Sequence, residues 1–353
     1  MISQLRLMNF RCFESLSLEM NASGALFVGD NAQGKTSILE AVCMLVRLHS
    51  PRAGRNSHMV KFENNELGVA GSCWDSELQI RYSSHAGMKL QVEGEPVDRQ
   101  AEYLAAGGLI VWMGNEDIEL IRGSGSVRRR YLDFIGSQLS LEYRVALVRY
   151  QRALKSRNHL LKDQRSSQAE LDAYAQILIE NGQLISQQRS EMVERLSELA
   201  GDVQRSISAG NETLALSYQS GSGDDLAENL QMTEQRERRL GQTVVGPHRD
   251  ELKLTINGMP AGDFASEGQQ RTIALALKLA QGELLQQARG KLPVYLLDDI
   301  FGELDTQRRN AVFARLPEQA QKLITTTNLD WLDGTYTEAP RYRVSSGVCE
   351  LIE

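Results

Sequence analysis

Cysteine is scarce in this 353-residue chain, and its four copies are scattered. Cys12, Cys43, Cys73 and Cys349 form no C-x-x-C pair, which leaves neither a zinc site nor a disulfide scaffold in view. No apolar run approaches the roughly 20 residues of a membrane span. The opening residues, MISQLRLMNFRCF, carry neither the apolar stretch nor the cleavage site of a signal peptide, so a cytoplasmic protein is expected. Proline is missing from Leu141 to Ala200. A basic excess is missing as well: the formal net charge of −7 excludes a uniformly basic nucleic-acid binder. Apolar content of 41% suffices for a sizeable core, and the length points to one large domain with an insertion or to two domains.

What is present begins with Gly29-Asp30-Asn31-Ala32-Gln33-Gly34-Lys35-Thr36, which fits G-x-x-x-x-G-K-[ST] without a mismatch. The apolar run Ala25 to Val28 before it reads as a strand, and Ser37 to Leu48 behind it as a helix. Strand, glycine-bounded loop and helix is the context a P-loop needs. Backbone N–H groups curl around phosphate oxygens, and the helix N-terminus adds partial positive charge. Lys35 is expected on the β- and γ-phosphates, with the Thr36 hydroxyl on Mg²⁺. The chain is expected to bind a nucleoside triphosphate.

Charge distribution says more than its total. From Arg122 to Arg165 stand eleven basic residues against three acids (Asp133, Glu142, Asp163), a net of +8 on an otherwise acidic chain. Such a segment is either a footprint for a phosphate backbone or a solvated helix face. Alternation at Leu5 and Leu7, then at Leu16, Leu18 and Met20, predicts a hairpin. Alternation from Gly68 to Val97 predicts antiparallel sheet, and Leu109 to Met113 a short strand. The proline-free middle is helical: Leu171, Leu178, Ile185, Met192 and Leu199 recur every seven residues, with Leu196 beside them. The expected partner is an antiparallel basic helix from about Leu141 to Lys162. A helix of about 30 residues spans about 45 Å, a stubby arm. Further on, Leu252, Leu254 and Ile256 alternate into Asn257-Gly258, a hairpin signal.

A second site element is Val294-Tyr295-Leu296-Leu297-Asp298-Asp299. The apolar run reads as a strand buried on both faces, with its acids at the carboxyl end where α/β sheets bind ligands. Asp298 suits Mg²⁺ ligation, partly through water, and Asp299 is placed to orient or deprotonate an attacking water. A third element is Ser266-Glu267-Gly268-Gln269 at the head of a long helix. Ser266 and Gln269 make a capping box. They also resemble the signature motif of ABC-type ATPases, in which one subunit's serine, backbone amides and helix dipole contact the γ-phosphate held by the other. Glu303-Leu304-Asp305 resembles the D-loop of that class.

In order along the chain, Leu5-Arg6-Leu7, Asn9-Phe10-Arg11, GDNAQGKT, Gly123-Ser124 with Arg128-Arg129-Arg130 and Leu132-Asp133, Gly246-Pro247-His248-Arg249-Asp250, SEGQQRTIALALKLA and LLDDIFGELD resemble the bacterial RecF family. Residues 160–240 add little to that resemblance. It implies an α/β fold: an SMC-like ABC ATPase head, with a P-loop mixed sheet, flanking helices and an antiparallel subdomain, plus a mainly helical arm. The head would comprise residues 1–115 and 241–353, the arm 116–240. It further implies ATP and Mg²⁺ as cofactors, an ATP-dependent homodimer on DNA at gaps and junctions, slow hydrolysis, and a role beside RecR and RecO in directing RecA. By the same resemblance Arg11 lies near the phosphates, Thr327 belongs to the segment that replaces a switch histidine, and Arg52 couples DNA to nucleotide. Candidate DNA contacts are Arg52, Arg128, Arg129, Arg130, Arg149 and Arg152. The segment Met113 to Asp117 holds no Q-loop glutamine, and His248 reads as a hydrogen-bonded core histidine ahead of a nucleotide contact. Two rival readings are an ABC transporter ATPase subunit, disfavoured by the basic heptad-bearing segment, and a structural clamp with a vestigial site, disfavoured by the intact Lys35, Asp298 and Asp299.

Overall fold

The computed structural model describes residues 1–163, 167–223, 225–302, 304–329, 331–332 and 339–352. The chain opens with β1 (Gln4–Phe10), β2 (Phe13–Glu19), β3 (Gly24–Val28) and helix α1 (Lys35–Arg47). Then come β4 (Glu66–Cys73), β5 (Ser76–Ser83), β6 (Gly87–Val92), β7 (Glu95–Val97), α2 (Gln100–Ala106) and β8 (Ile110–Gly114). The middle runs through α3 (Glu119–Arg122), α4 (Gly125–Leu139), α5 (Leu141–Lys162), α6 (Gln168–Ile207), β9 (Leu214–Gln219) and α7 (Leu226–Leu240). It continues through β10 (Glu251–Ile256), β11 (Met259–Pro260), α8 (Ala261–Phe264) and α9 (Glu267–Arg289). The last part holds β12 (Val294–Asp298), α10 (Thr306–Arg315), β13 (Lys322–Thr326), β14 (Arg341–Ser345) and β15 (Val348–Leu351). Two compact units result, one of Met1–Glu116 with Gly290–Glu353, the other of Asp117–Arg289.

The first unit holds two sheets. One is antiparallel, in the order β2-β1-β4-β5-β6-β7. Its alternating pattern turns Leu5, Leu7, Leu16 and Leu18 inward, as period-two sequence requires. The other runs β15-β14-β3-β13-β12-β8, with β3, β13, β12 and β8 parallel. These parallel strands are buried almost throughout, which explains why they read as continuous apolar runs without alternation. Helix α1 touches strands of both sheets and buries Ile38 to Val46 on every side. The register sets Asp298 opposite Thr325 on one neighbour and Gly114 on the other, so the carboxyl ends of the strands meet at one place. The C-terminal hairpin closes this sheet: Tyr342 stacks on Phe27 at 5.7 Å and donates its hydroxyl to the Glu19 carbonyl.

The second unit is built on α5 and α6. They run antiparallel, so that Tyr143 near the start of α5 meets Arg189 at the middle of the longer α6. Tyr143, Ala146, Tyr150 and Ala153 pack with Leu178 and Ile185, and α7 adds Leu226 and Leu230. At 40 residues α6 is longer than the periodicity suggests, spanning about 60 Å. The seven-residue seam holds at Leu171, Leu178, Ile185 and Met192, then passes to Leu196, Ala200, Val203 and Ile207, leaving Leu199 only half-buried. A straight helix drifts about 20° per heptad, so a seven-residue rule loses its stripe after three repeats. Asn257 and Gly258 take positive φ, as the expected two-residue hairpin turn demands. One boundary differs from the sequence-based division. Residues 241–289 cluster with the helical unit, because β10 pairs with β9, α4 lies on β10, and α9 runs along α6.

Candidate functional site

The P-loop leaves β3 at its carboxyl end and turns into α1. Gly34 has φ 112°, and a Cβ there would stand 2.5 Å from the Cys12 sulfur. At Gly29 a Cβ would stand 2.2 Å from the Val344 carbonyl oxygen. Both glycines are therefore needed by close approach, and Gly34 also by its left-handed backbone. The loop is moored to the C-terminal hairpin: Gln33 accepts from the Ser346 N–H at 2.6 Å, and the Gly347 N–H reaches the Gln33 carbonyl at 3.4 Å. The Lys35 ammonium donates to the carbonyls of Gly29 and Asp30 at 2.7 and 2.8 Å, folded back across the loop it would otherwise extend from. Burial pulls its pKa down, while Asp299, Asp298 and Asp30 resist the shift.

Beneath the loop the acids are held by two threonines. Thr36 and Thr325 both donate their hydroxyls to one Asp298 oxygen, at 2.7 and 2.8 Å. Burial, with help from Glu116, pushes the Asp298 carboxyl above its ordinary range, while those hydroxyls and Arg52 pull the other way. Asp299 sits at φ 52°, an uncommon conformation for a residue with a Cβ, and its N–H reaches the Thr325 hydroxyl at 3.0 Å. The sequence offers the run Thr325-Thr326-Thr327-Asn328 in place of a switch histidine and Thr327 as its switch residue, but it is Thr325 that meets the acids. Thr325 is the register partner of Asp298, whereas Thr327 lies past the end of β13 and is half-exposed. Arg11 is tied to the helix that follows the P-loop. Its Nε and Nη2 grip the buried Glu40 carboxylate at 2.7 and 2.6 Å, and Nη1 donates to the His58 carbonyl. Asp305 caps α10 by accepting from the Arg308 N–H at 2.8 Å; its neighbour Glu303 lies outside the described residues.

A family model described as an AAA domain matches residues 4–239. The DNA replication and repair protein RecF of Synechococcus sp. (strain JA-2-3B'a(2-13)) is 35% identical over 358 residues, covering 96% of this chain and 94% of that protein. The chain belongs to the RecF family. A solved structure of the recombination mediator protein RecF with ATP in the RecFOR pathway matches with a TM-score of 0.90 at 30% identity, covering 100% of this chain and 97% of that one. The Smc head domain from Pyrococcus furiosus, bound to the C-terminal domain of ScpA, shares the fold with a TM-score of 0.57 at 17% identity, over 99% of this chain and 95% of that one. An SMC-type α/β head with a helical lobe is therefore the fold, and DNA replication and repair is the family's province.

The remaining candidate residues of this RecF-family chain lie in the second unit. Ser266 and Gln269 form the capping box: Gln269 N–H donates to the serine oxygen at 3.3 Å, and the glutamine oxygen accepts from the Ser266 N–H at 2.8 Å. Ser266 remains exposed at the head of α9, and Gln269 is held besides by Glu212. The arginines divide. Arg128 is engaged by Glu251 at 2.6 Å and by the carbonyls of Leu120 and Gly123; Arg129 donates to the Asp250 carbonyl at 2.6 Å. These two reach from α4 to Asp250 and Glu251 at the start of β10, and both stay half-exposed. Arg130, Arg149 and Arg152 are exposed, as is Arg52 in the first unit. Arg165, the last of the basic run, lies outside the described residues. His248 is satisfied at both ring nitrogens, by the Tyr150 hydroxyl at 2.7 Å and the Thr243 carbonyl at 3.0 Å. Burial drives its pKa down to about 4, so it is neutral at pH 7.

Proposed function

We propose that this chain is an ATP-dependent DNA-binding protein of recombinational repair and replication-fork maintenance, in which ATP binding joins two copies and slow hydrolysis releases them. The observation that carries the reading is the chain of contacts from Thr36 through Asp298 to Thr325, directly below the P-loop at the ends of the parallel strands. Lys35 leaves the loop carbonyls for the β- and γ-phosphates when nucleotide enters. Thr36 and Asp298 bring a hydroxyl and a carboxylate together, an all-oxygen pair that would hold Mg²⁺. When bound, that ion neutralises charge on the phosphates. Asp299, beside Lys35, receives the proton of the water that attacks the γ-phosphorus as the bond to the bridging oxygen breaks and ADP leaves with that oxygen.

Ser266 and the exposed start of α9 are assigned to the partner's γ-phosphate, where the serine hydroxyl and the helix N-terminus add donors. Arg130, Arg149 and Arg152 are assigned to phosphate backbone, with Arg52 as the contact nearest the nucleotide. RecR and RecO are the partners in this reading, RecA the protein delivered, and the cytoplasm the setting. Turnover measured over a range of protein concentrations, with and without gapped duplex, tests it. Turnover per chain that rises with concentration and with DNA fits a shared site. Turnover that is flat in both overturns the coupling of ATP to assembly and DNA.

A further inference from the structure

In the second unit α4, α5, the middle of α6 and the Pro247-His248 turn enclose a cavity of about 270 Å³. Its wall is apolar, formed by Leu147, Leu154, Pro247 and the Tyr150 ring. At the deep end lie Asp133 and Arg189, whose side chains are 19% and 2% exposed. At the mouth stand Arg130 and Gln151, both exposed, with Arg129 half-exposed beside them. The polar groups differ in what they can still bond. His248 also lines the cavity, but both its ring nitrogens are engaged. The buried Asp250 behind it uses both carboxylate oxygens. Oδ1 accepts from the Gly221 N–H at 2.7 Å, and Oδ2 from Arg189 at 2.6 Å and from the Tyr218 hydroxyl. Asp133 is different: the Tyr143 hydroxyl and Arg189 both donate to Oδ1, each at 2.6 Å. Its Oδ2 accepts no hydrogen bond among the described residues. The cavity thus opens between guanidinium groups and ends at a free acceptor.

Those two ends select a ligand. A cation is repelled at the mouth by Arg129 and Arg130, and a lone phosphate is repelled at the deep end by Asp133. A molecule that suits both ends carries negative charge at one end, a neutral N–H donor at the other, and an apolar body between. A nucleotide has that form, with its phosphate, its ring faces and the amino group on its base edge. The volume lies just under the roughly 300 Å³ at which ordinary small-molecule pockets begin, which gives room for one base and not for an entire nucleoside triphosphate. We propose that the cavity takes one base splayed out of a single DNA strand, its flanking phosphate on Arg129 and Arg130 and its exocyclic amine donating to Asp133 Oδ2. The proposal rests on the DNA-binding reading and adds a selection to it. Arg149 and Arg152 meet the backbone of any DNA, whereas the cavity admits only a strand whose bases are free, because a paired base must first be unpaired and unstacked. Cytosine, adenine and guanine carry the amine. Thymine presents its O4 there instead, which the carboxylate repels.

The test is equilibrium binding of fluorescently labelled DNA by the full-length protein, using short homopolymers of deoxycytidine and of thymidine and a blunt duplex. Wild type should bind the cytosine strand several-fold more tightly than the thymine strand. Gln151→Trp sets an indole over the mouth from an exposed position on α5. It should weaken the cytosine strand about tenfold, the scale of one base held in a pocket, and leave the duplex within about twofold. Leu147→Trp, which fills the cavity from its wall, should act the same way, and intact duplex binding shows that either variant is folded. Arg149→Glu should weaken strand and duplex alike. Equal affinity for the two homopolymers, equal loss of strand and duplex in Gln151→Trp, or no loss of the strand would overturn the proposal. So would free dCMP that competes as strongly as the strand, since the site would then serve loose nucleotides. A wild type that binds neither strand nor duplex would sink the DNA-binding reading and this proposal together. Normal duplex binding with a strand affinity that ignores both tryptophans would sink the proposal alone.

Discussion

His248 makes a quantitative claim about pH. In the folded chain its pKa lies near 4, because burial disfavours the imidazolium and both ring nitrogens are bonded to neutral oxygens. In the unfolded chain it returns to about 6.5. Below pH 6.5 the unfolded state therefore binds a proton that the folded state refuses. The stability contributed by the neutral ring is fully present above pH 6.5 and is lost as pH falls toward 4. Linkage over that interval amounts to about 2 kcal/mol at pH 5 and about 3 kcal/mol once both forms are protonated. Asp250 nearby titrates in the opposite sense, its pKa raised chiefly by burial, so wild type must be compared with a variant rather than with itself. His248→Gln keeps an amide that can donate to the Thr243 carbonyl and does not titrate. Urea unfolding of both proteins at pH 7.5 and pH 5 should show the stability gap between them shrinking by about 2 kcal/mol at the lower pH. A gap that stays constant would refute the reasoning, and would mean that His248 is solvated or titrates normally.

Other substitutions follow from the same geometry. Lys35→Ala should abolish tight ATP binding in an equilibrium titration, while Asp299→Asn should keep ATP and slow hydrolysis by about a hundredfold, the usual scale of a missing general base. Gln33→Ala cuts the mooring of the P-loop to the C-terminal hairpin and should raise KM several-fold, about 1 kcal/mol of binding, with kcat nearly unchanged. Charge reversal at Arg149 and Arg152 should weaken DNA binding and reduce the slope of log K against log salt by about 1 for each phosphate no longer neutralised. Arg128→Glu, which opposes Glu251, should lower the melting temperature instead, and a DNA effect without that drop would show the arginine is free.

Much of this molecule was legible because its chemistry is written in contiguous residues. The P-loop, the run ending in Asp298-Asp299 and the capping box at Ser266 each depend on local spacing, and the structure forms the corresponding turn, strand end and helix start. The hairpin at Asn257-Gly258 was legible for the same reason. What escaped depends on who stands opposite whom. Thr325 meets Asp298 only through the parallel register of β12 and β13, which no local pattern encodes. Arg128 and Arg129 carry the same charge in sequence as Arg130, and only the placement of β10 gives these two a carboxylate or carbonyl partner across the unit. The boundary at residue 289 was hidden because β10 looks like any alternating strand until its partner, β9, is known. Glu40 was invisible inside an apolar helix, since its partners Arg11 and Ser50 lie 29 residues before it and 10 after it.

The central claim is that ATP acts as the adhesive between two copies, with Ser266 of each reaching the nucleotide of the other. Sedimentation velocity on wild type and Ser266→Arg, each with and without ATP and Mg²⁺, tests it most directly. The account predicts a wild-type monomer that becomes a dimer only with nucleotide, and a Ser266→Arg protein that binds ATP yet stays monomeric. An ATP-dependent dimer that persists in Ser266→Arg would contradict it, and would leave Ser266 as a helix cap and nothing more.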